Sequence, residues 1–211
     1  MRSIRDLGWL QCAALAVVAV LAGCAATSTP PLRLYVLYCG EAQIPDISPW
    51  APGFNEGKPM TFSDNCYLIR HGNDWMLWDS GFTDALATSP DGQLGNRGMR
   101  MRRTKTLAAQ LAELGLKPEQ ISVIAFSHTH SDHVGNANDF AGPSTTWLVQ
   151  RVEREAMFGA SVSPQSINPD YAALKNAKTQ LLDGDRDVFG DGTVVIKSTP
   201  GHTVGHQVLF V

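Results

Sequence analysis

The sequence predicts an α/β fold, and three observations predict it. Residues 121–126 (ISVIAF) form an unbroken apolar run, as in a strand covered on both faces. Just before it, Leu107, Leu111 and Leu114 recur at helical spacing and Gly115 supplies a stop, so a helix feeds that strand. Upstream, residues 66–70 (CYLIR) and 75–78 (WMLW) flank His71-Gly72-Asn73-Asp74, the pattern of a hairpin. With 211 residues, 44% hydrophobic and 18% charged, the chain has enough apolar material for one domain with a core.

The first residues are of another kind. Arg2 and Arg5 precede an apolar stretch, residues 10–21 (LQCAALAVVAVL), too short to span a bilayer comfortably, which together predict an export signal over residues 1–23. Leu21-Ala22-Gly23-Cys24 resembles a lipobox, which implies cleavage before Cys24 and a lipid on its thiol. Residues 24–32 then form a polar, Pro-bearing tether, and the expected location is the cell envelope, lipid-anchored at the periplasmic face or cell surface. An uncleaved signal anchor with an incidental cysteine is the alternative.

After the tether, residues 33–38 (RLYVLY) alternate as a strand, and residues 44–59, with four prolines, predict a loop. Residues 83–103 hold three glycines and little periodicity; a substrate-covering excursion and a disordered loop are both compatible with them. Strands are expected over 145–149 and 192–198, an amphipathic helix over 151–158, a mostly exposed connection over 161–177 and a last strand over 207–211. Cys39 and Cys66, both beside predicted strands, are expected as buried unpaired thiols, with a single bridge as the alternative.

A formal net charge of -3 argues against a nucleic-acid partner. The one basic cluster, residues 97–105 (RGMRMRRTK), is broken by Gly and Met and lacks interleaved aromatics, so it reads as a solvated loop and helix start.

Chemistry concentrates where the buried strand stops. His128-Thr129-His130-Ser131-Asp132-His133 packs three imidazoles and a carboxylate into six residues. In an extended or tightly turned loop, His128 and His130 can pinch one ion while Asp132 and His133 face a neighbouring position. The donors are all N or O, which suits Zn²⁺ best, with Fe, Mn and Co as alternatives. Thr199-Pro200-Gly201-His202-Thr203-Val204-Gly205-His206 supplies a rigid turn at another strand end, and His202 would complete the first site. Three histidines leave one position for a water that the metal makes acidic. His206 is expected to hydrogen-bond a ligand or the loop backbone, and His71 to be inert in its turn.

The HTHSDH run resembles the HxHxDH signature of the metallo-β-lactamase superfamily, and TPGHTVGH its third-histidine motif. Trp78-Asp79-Ser80-Gly81 is similar to that superfamily's first motif. The resemblance covers residues 33–211 and implies an αββα sandwich with the metals at one edge of the sheets. It also implies that His128, His130 and His202 hold the first metal, that Asp132 and His133 belong to the second, and that Asp79 supports the site from behind. Two zinc ions are implied for the complete protein, with Asp132 the candidate catalytic residue.

The superfamily pattern continues with a metal-bridging Asp and a final His that this sequence does not reach. It is therefore read as the N-terminal portion of a longer protein, expected to hydrolyse weakly or not at all alone; a natural degenerate form is the alternative. Residues 65–71 (NCYLIRH), Trp78 to Gly81 and residues 34–37 (LYVL) look most like the N-acyl homoserine lactonase-type branch. That implies a small-molecule substrate whose lactone carbonyl is attacked by metal-activated water. A β-lactamase is the nearest rival, a glyoxalase-type thioesterase a weaker one, and a non-catalytic lipid-anchored metal-binding protein the reading from another class.

Overall fold

The computed structural model describes residues 31–211. Residues 1–23 with the expected export signal, Cys24 and the tether up to residue 30 lie outside the described residues. An eight-stranded sheet carries the fold. Its strands are β1 (Leu32–Ile44), β2 (Met60–His71), β3 (Asp74–Trp78), β4 (Gln93–Leu94), β5 (Arg100–Arg102), β6 (Val123–Ala125), β7 (Thr146–Gln150) and β8 (Thr179–Leu182), in the order β4-β5-β1-β2-β3-β6-β7-β8. The β1, β2 and β3 pairings are antiparallel, whereas β3, β6, β7 and β8 run parallel. A second sheet orders β9 (Arg186–Asp187), β10 (Val195–Ser198) and β11 (Gln207–Phe210) as β11-β10-β9.

Period-two alternation decides which layer each side chain joins. On one face of the large sheet, Leu68, Leu77, Ile124, Trp147 and Val149 pack against Leu107 and Leu111 of α1 (Leu107–Glu113) and Met157 of α3 (Arg151–Phe158). On the other, Ile69, Met76, Ala125 and Leu148 meet Val194 and Ile196 of the small sheet. β6 is buried on both faces, which is why its sequence shows no alternation. Helix, sheet and sheet are thus three layers of the expected sandwich; a second helical layer is not among the described residues.

Several expectations change in detail. The first strand runs on to Ile44 through a register shift between Tyr38 and Gly40. That shift places Cys39 beside Cys66, and the two form a disulfide with Cα atoms 5.7 Å apart, so the unpaired thiols expected from sequence are corrected. The 83–103 excursion is partly sheet, because Arg100–Arg102 pair with Glu41–Gln43 and extend the edge that β1 exposes. Within the 161–177 connection, Leu174 is fully buried in a 3₁₀ turn spanning Pro169–Asn176. β8 and β9 had no counterpart in the sequence reading. By contrast, the hairpin forms as expected, with His71 opposite Asp74, and α3 spans Arg151–Phe158.

Candidate metal centre

The site forms where β6 and β10 end side by side. Gln207 N–H donates to Ser127 O at 2.9 Å, and Gln207 Nε2 donates to Phe126 O at 2.9 Å, so the two sheets are joined beside the histidines. His128 and His130 arrive from the end of β6, and His202 from the turn between β10 and β11. Their rings stand nearly perpendicular to one another, with centroids 4.7, 4.5 and 4.8 Å apart for the pairs 128–130, 128–202 and 130–202. His128 Nε2 and His202 Nε2 lie 3.0 and 3.1 Å from His130 Nδ1.

Such convergence of nitrogens is unfavourable as a charged cluster. Burial, reinforced by the imidazoles of His133, His130, His202 and His206, pushes His128 down to about 2. Its Nδ1 meets Ser127 Oγ at 3.1 Å, which leaves Nε2 facing the cluster. A neutral imidazole with an inward lone pair is the ligand form, so the donor set fits a cation.

A second group, His128, Asp132 and His133, also brings its donor atoms within 4.8 Å of one another. Of the extended and tightly turned forms that the sequence left open, the turned one is found: Ser131–Val134 is a short helix, α2, which brings Asp132 and His133 toward one side. His133 Nδ1 contacts Asp79 Oδ2 and Ser127 Oγ, each at 3.0 Å. Burial alone would depress this imidazole; the hydrogen bond and charge of Asp79, with the charges of Asp132 and Asp64, outweigh it and raise the pKa. Its Nε2 lies 3.5 Å from Asp132 Oδ2.

Asp79 supports both ends of the 127–133 run from beneath. It is 4% exposed and adopts φ 58°, a left-handed conformation that Asp tolerates better than most residues. Its Oδ1 accepts the Ser127 N–H at 2.7 Å while Oδ2 orients His133. The next residues are laced to α2, because Ser80 N–H donates to His133 O at 2.7 Å and Gly135 N–H to Gly81 O at 2.8 Å. A Cβ at Gly135 would stand 2.3 Å from Thr83 N, so only glycine allows this approach.

His206 stays outside both groups of donors. Its Nδ1 meets Thr199 Oγ1 at 2.9 Å and Thr199 O at 3.2 Å, which ties down the loop that carries His202. His71 is remote from the cluster, pairing with Asp191 at 2.8 Å and stacking on Phe189 at 4.2 Å.

Two further residues escaped the sequence reading. Glu153, 3% exposed, accepts Thr129 Oγ1–H at 3.0 Å through Oε1 and Gly205 N–H at 2.8 Å through Oε2. The signal available was a carboxylate four residues before Met157, on the buried stripe of α3. Asp64 lines the cleft beside His130, Asp132, His133 and His202. Burial pushes its carboxyl up to about 7, against a smaller opposing pull from the Phe82 N–H. Ile44, Trp50, Phe62, Phe82, Met99 and Met101 make most of the remaining wall apolar, with Ser63 and Ser131 the polar exceptions, and the two methionines come from the 83–103 segment.

Residues 61–211 match the profile of the metallo-beta-lactamase superfamily. The chain is 30% identical over 198 residues to the N-acyl homoserine lactonase AttM of Rhizobium johnstonii, covering 85% of this chain and 71% of that protein. It is 29% identical over 191 residues to an N-acyl homoserine lactonase of a Bacillus species, covering 85% and 70%. Among solved structures, an N-acyl homoserine lactone hydrolase with the product N-hexanoyl-L-homoserine at its catalytic metal centre is similar, with a TM-score of 0.70, 26% identity and coverage of 87% and 71%.

Proposed function

The chain belongs to the metallo-beta-lactamase superfamily, and from that premise we propose that it is a zinc-dependent hydrolase that opens N-acyl homoserine lactones. The observation that carries the reading is the meeting of His128, His130 and His202 from two sheets, nitrogen to nitrogen at 3.0 and 3.1 Å. In this reading those three hold one zinc ion, and Asp132 and His133 sit at a second. Zinc bound there supplies two things, acidification of a water and polarisation of a carbonyl.

The remaining work falls to the chain itself. Ser127 and Asp79 fix the ring orientations of His128 and His133 through the nitrogens that face away from the cluster. Asp132, whose carboxylate opens to the cleft, is the group placed to take a proton from the attacking water and pass it to the departing ring oxygen. The apolar wall of Trp50, Phe62, Met99 and Met101 takes the acyl chain and keeps water away from it. The names borne by the relatives support the lactone over a β-lactam.

Offering N-hexanoyl homoserine lactone and a cephalosporin to the zinc-loaded protein tests this, with acid release as the readout. Turnover of the lactone and not of the cephalosporin is expected, at the weak rate anticipated from the sequence. Cephalosporin turnover alone would transfer the reading to β-lactams, and metal bound without turnover of either would favour a non-catalytic metal-binding protein.

We further place the protein at the cell envelope through a lipid on Cys24. The Cys39–Cys66 bridge suits an oxidising compartment. Cys24→Ser should move the protein from the membrane to the soluble fraction, and retention at the membrane would point to an uncleaved anchor.

A further inference from the structure

We infer that Asp64 is a substrate-recognition residue, placed to accept a hydrogen bond from the amide N–H that an N-acylated lactone carries one carbon away from its reacting carbonyl. This rests on the lactone reading above. Asp64 follows Phe62 by two residues on β2, so both side chains leave the strand on one face. Across the ladder stands Gly40, whose missing side chain leaves room for the Phe82 ring that a Cβ there would meet at 2.7 Å. Oδ2 of Asp64 accepts the Phe82 N–H at 2.9 Å. Oδ1 has no hydrogen-bond partner among the described residues.

The carboxyl shares one cavity with His130, Asp132, His133 and His202, yet it does not belong to either group of mutually close donor atoms. It therefore lines the cleft without joining the cluster. It is near enough to His133, Asp132 and Asp79 for their charges to act on it, and apart from the histidines, Ser63 and Ser131 the rest of the wall is apolar. An ionisable group in such a wall loses hydration, and groups of this kind concentrate where a ligand supplies the missing partner. The substrate's own spacing completes the fit. With the ring carbonyl at the histidines and the acyl chain along Phe62 and Met101, the amide falls between them, where Asp64 holds an open acceptor.

The test compares N-hexanoyl homoserine lactone with an alkyl γ-lactone of similar length and no amide, using the zinc-loaded protein and its Asp64→Asn variant. Asn keeps the size and the bond to Phe82 but can turn an N–H donor toward the substrate's donor. The ratio of the two kcat/KM values should shift against the N-acyl lactone by roughly 10- to 100-fold, mainly through KM. Calorimetric affinity for the ring-opened acid N-hexanoyl-L-homoserine should fall by a similar factor at unchanged metal content.

A second comparison needs no variant: N-methylation of the substrate amide should cost the unsubstituted protein a similar factor and cost Asp64→Asn little more. A ratio that stays within about twofold, or equal losses on both lactones, overturns the assignment of Asp64. If the parent protein turns over neither lactone, the lactone reading itself has failed, a result distinct from an unchanged ratio.

Discussion

Glu153 Oε2 accepts the backbone N–H of Gly205 at 2.8 Å, across 52 residues of sequence and from helix α3 to the connection between β10 and β11. The same carboxylate takes the Thr129 hydroxyl, so one buried side chain grips the loop of His128 and His130 and the loop of His202 together. Removing it leaves a donor on each loop without its partner.

Glu153→Ala is accordingly expected to lower unfolding free energy by about 2–3 kcal/mol, the range for losing hydrogen bonds to a buried charge. Zinc affinity should fall by roughly 10- to 100-fold, as happens when a supporting residue behind a ligand is lost. Denaturant titration and chelator competition read the two effects. A variant that loses stability while keeping its zinc affinity would show that Glu153 has no hold on the metal loops.

His202→Ala should weaken zinc binding by more than that roughly 10- to 100-fold, because it removes a donor and not a support. His71→Ala serves as the comparison, since His71 pairs with Asp191 away from the cluster. Its metal content should match that of the parent protein. Equal zinc stoichiometry and affinity in His202→Ala and the parent would detach the second loop from the site.

Asp64 gives a pH signature in metal-free protein. Burial raises its carboxyl from 3.8 to about 7, so between those values the folded protein keeps a proton that the unfolded chain has released. Stability therefore falls as pH rises through that window and stays low above it. Asp64→Asn has no such charge to bury. It should be more stable than the parent by on the order of 2–4 kcal/mol above about pH 7, with the gap closing toward about pH 4. Denaturant titrations across that range measure it, and a gap independent of pH would contradict the buried-acid account.

The Cys39–Cys66 bridge closes a loop across a sequence separation of 27. Chain-entropy reasoning gives it about 3–4 kcal/mol of stability. The Cys39→Ala, Cys66→Ala double variant should melt lower than the oxidised protein by an amount that reducing agent reproduces in the parent. Identical melting of oxidised and reduced parent protein would remove the bridge from the account of stability.

What could be read in advance was what repeats locally. Leu107 and Leu111 show the helical period, Ile121 to Phe126 the apolar run whose centre, Val123–Ala125, is the buried strand, and Gly72-Asn73 the turn, since each signal lies within a few residues of its effect. The HTHSDH and TPGHTVGH runs pointed to the cluster for the same reason. Cys39 was misjudged because its pairing depends on a register shift at Tyr38 and Gly40, which only the completed ladder of β1 on β2 reveals. Arg100–Arg102 gave no strand signal; they become sheet by pairing with an edge that β1 offers from far upstream. Asp64 and Glu153 look like ordinary solvated carboxylates until Phe82, Thr129 and Gly205 arrive from distant parts of the chain.

The left-handed backbone at Asp79 narrows what sequence drift can do there. Asn would keep the backbone handedness and surrender the charge opposite His133. Glu would keep the charge but suffer the crowding that its extra methylene and this φ impose. No single replacement meets both demands, so a change at this position has to be answered by a change elsewhere around the histidine cluster.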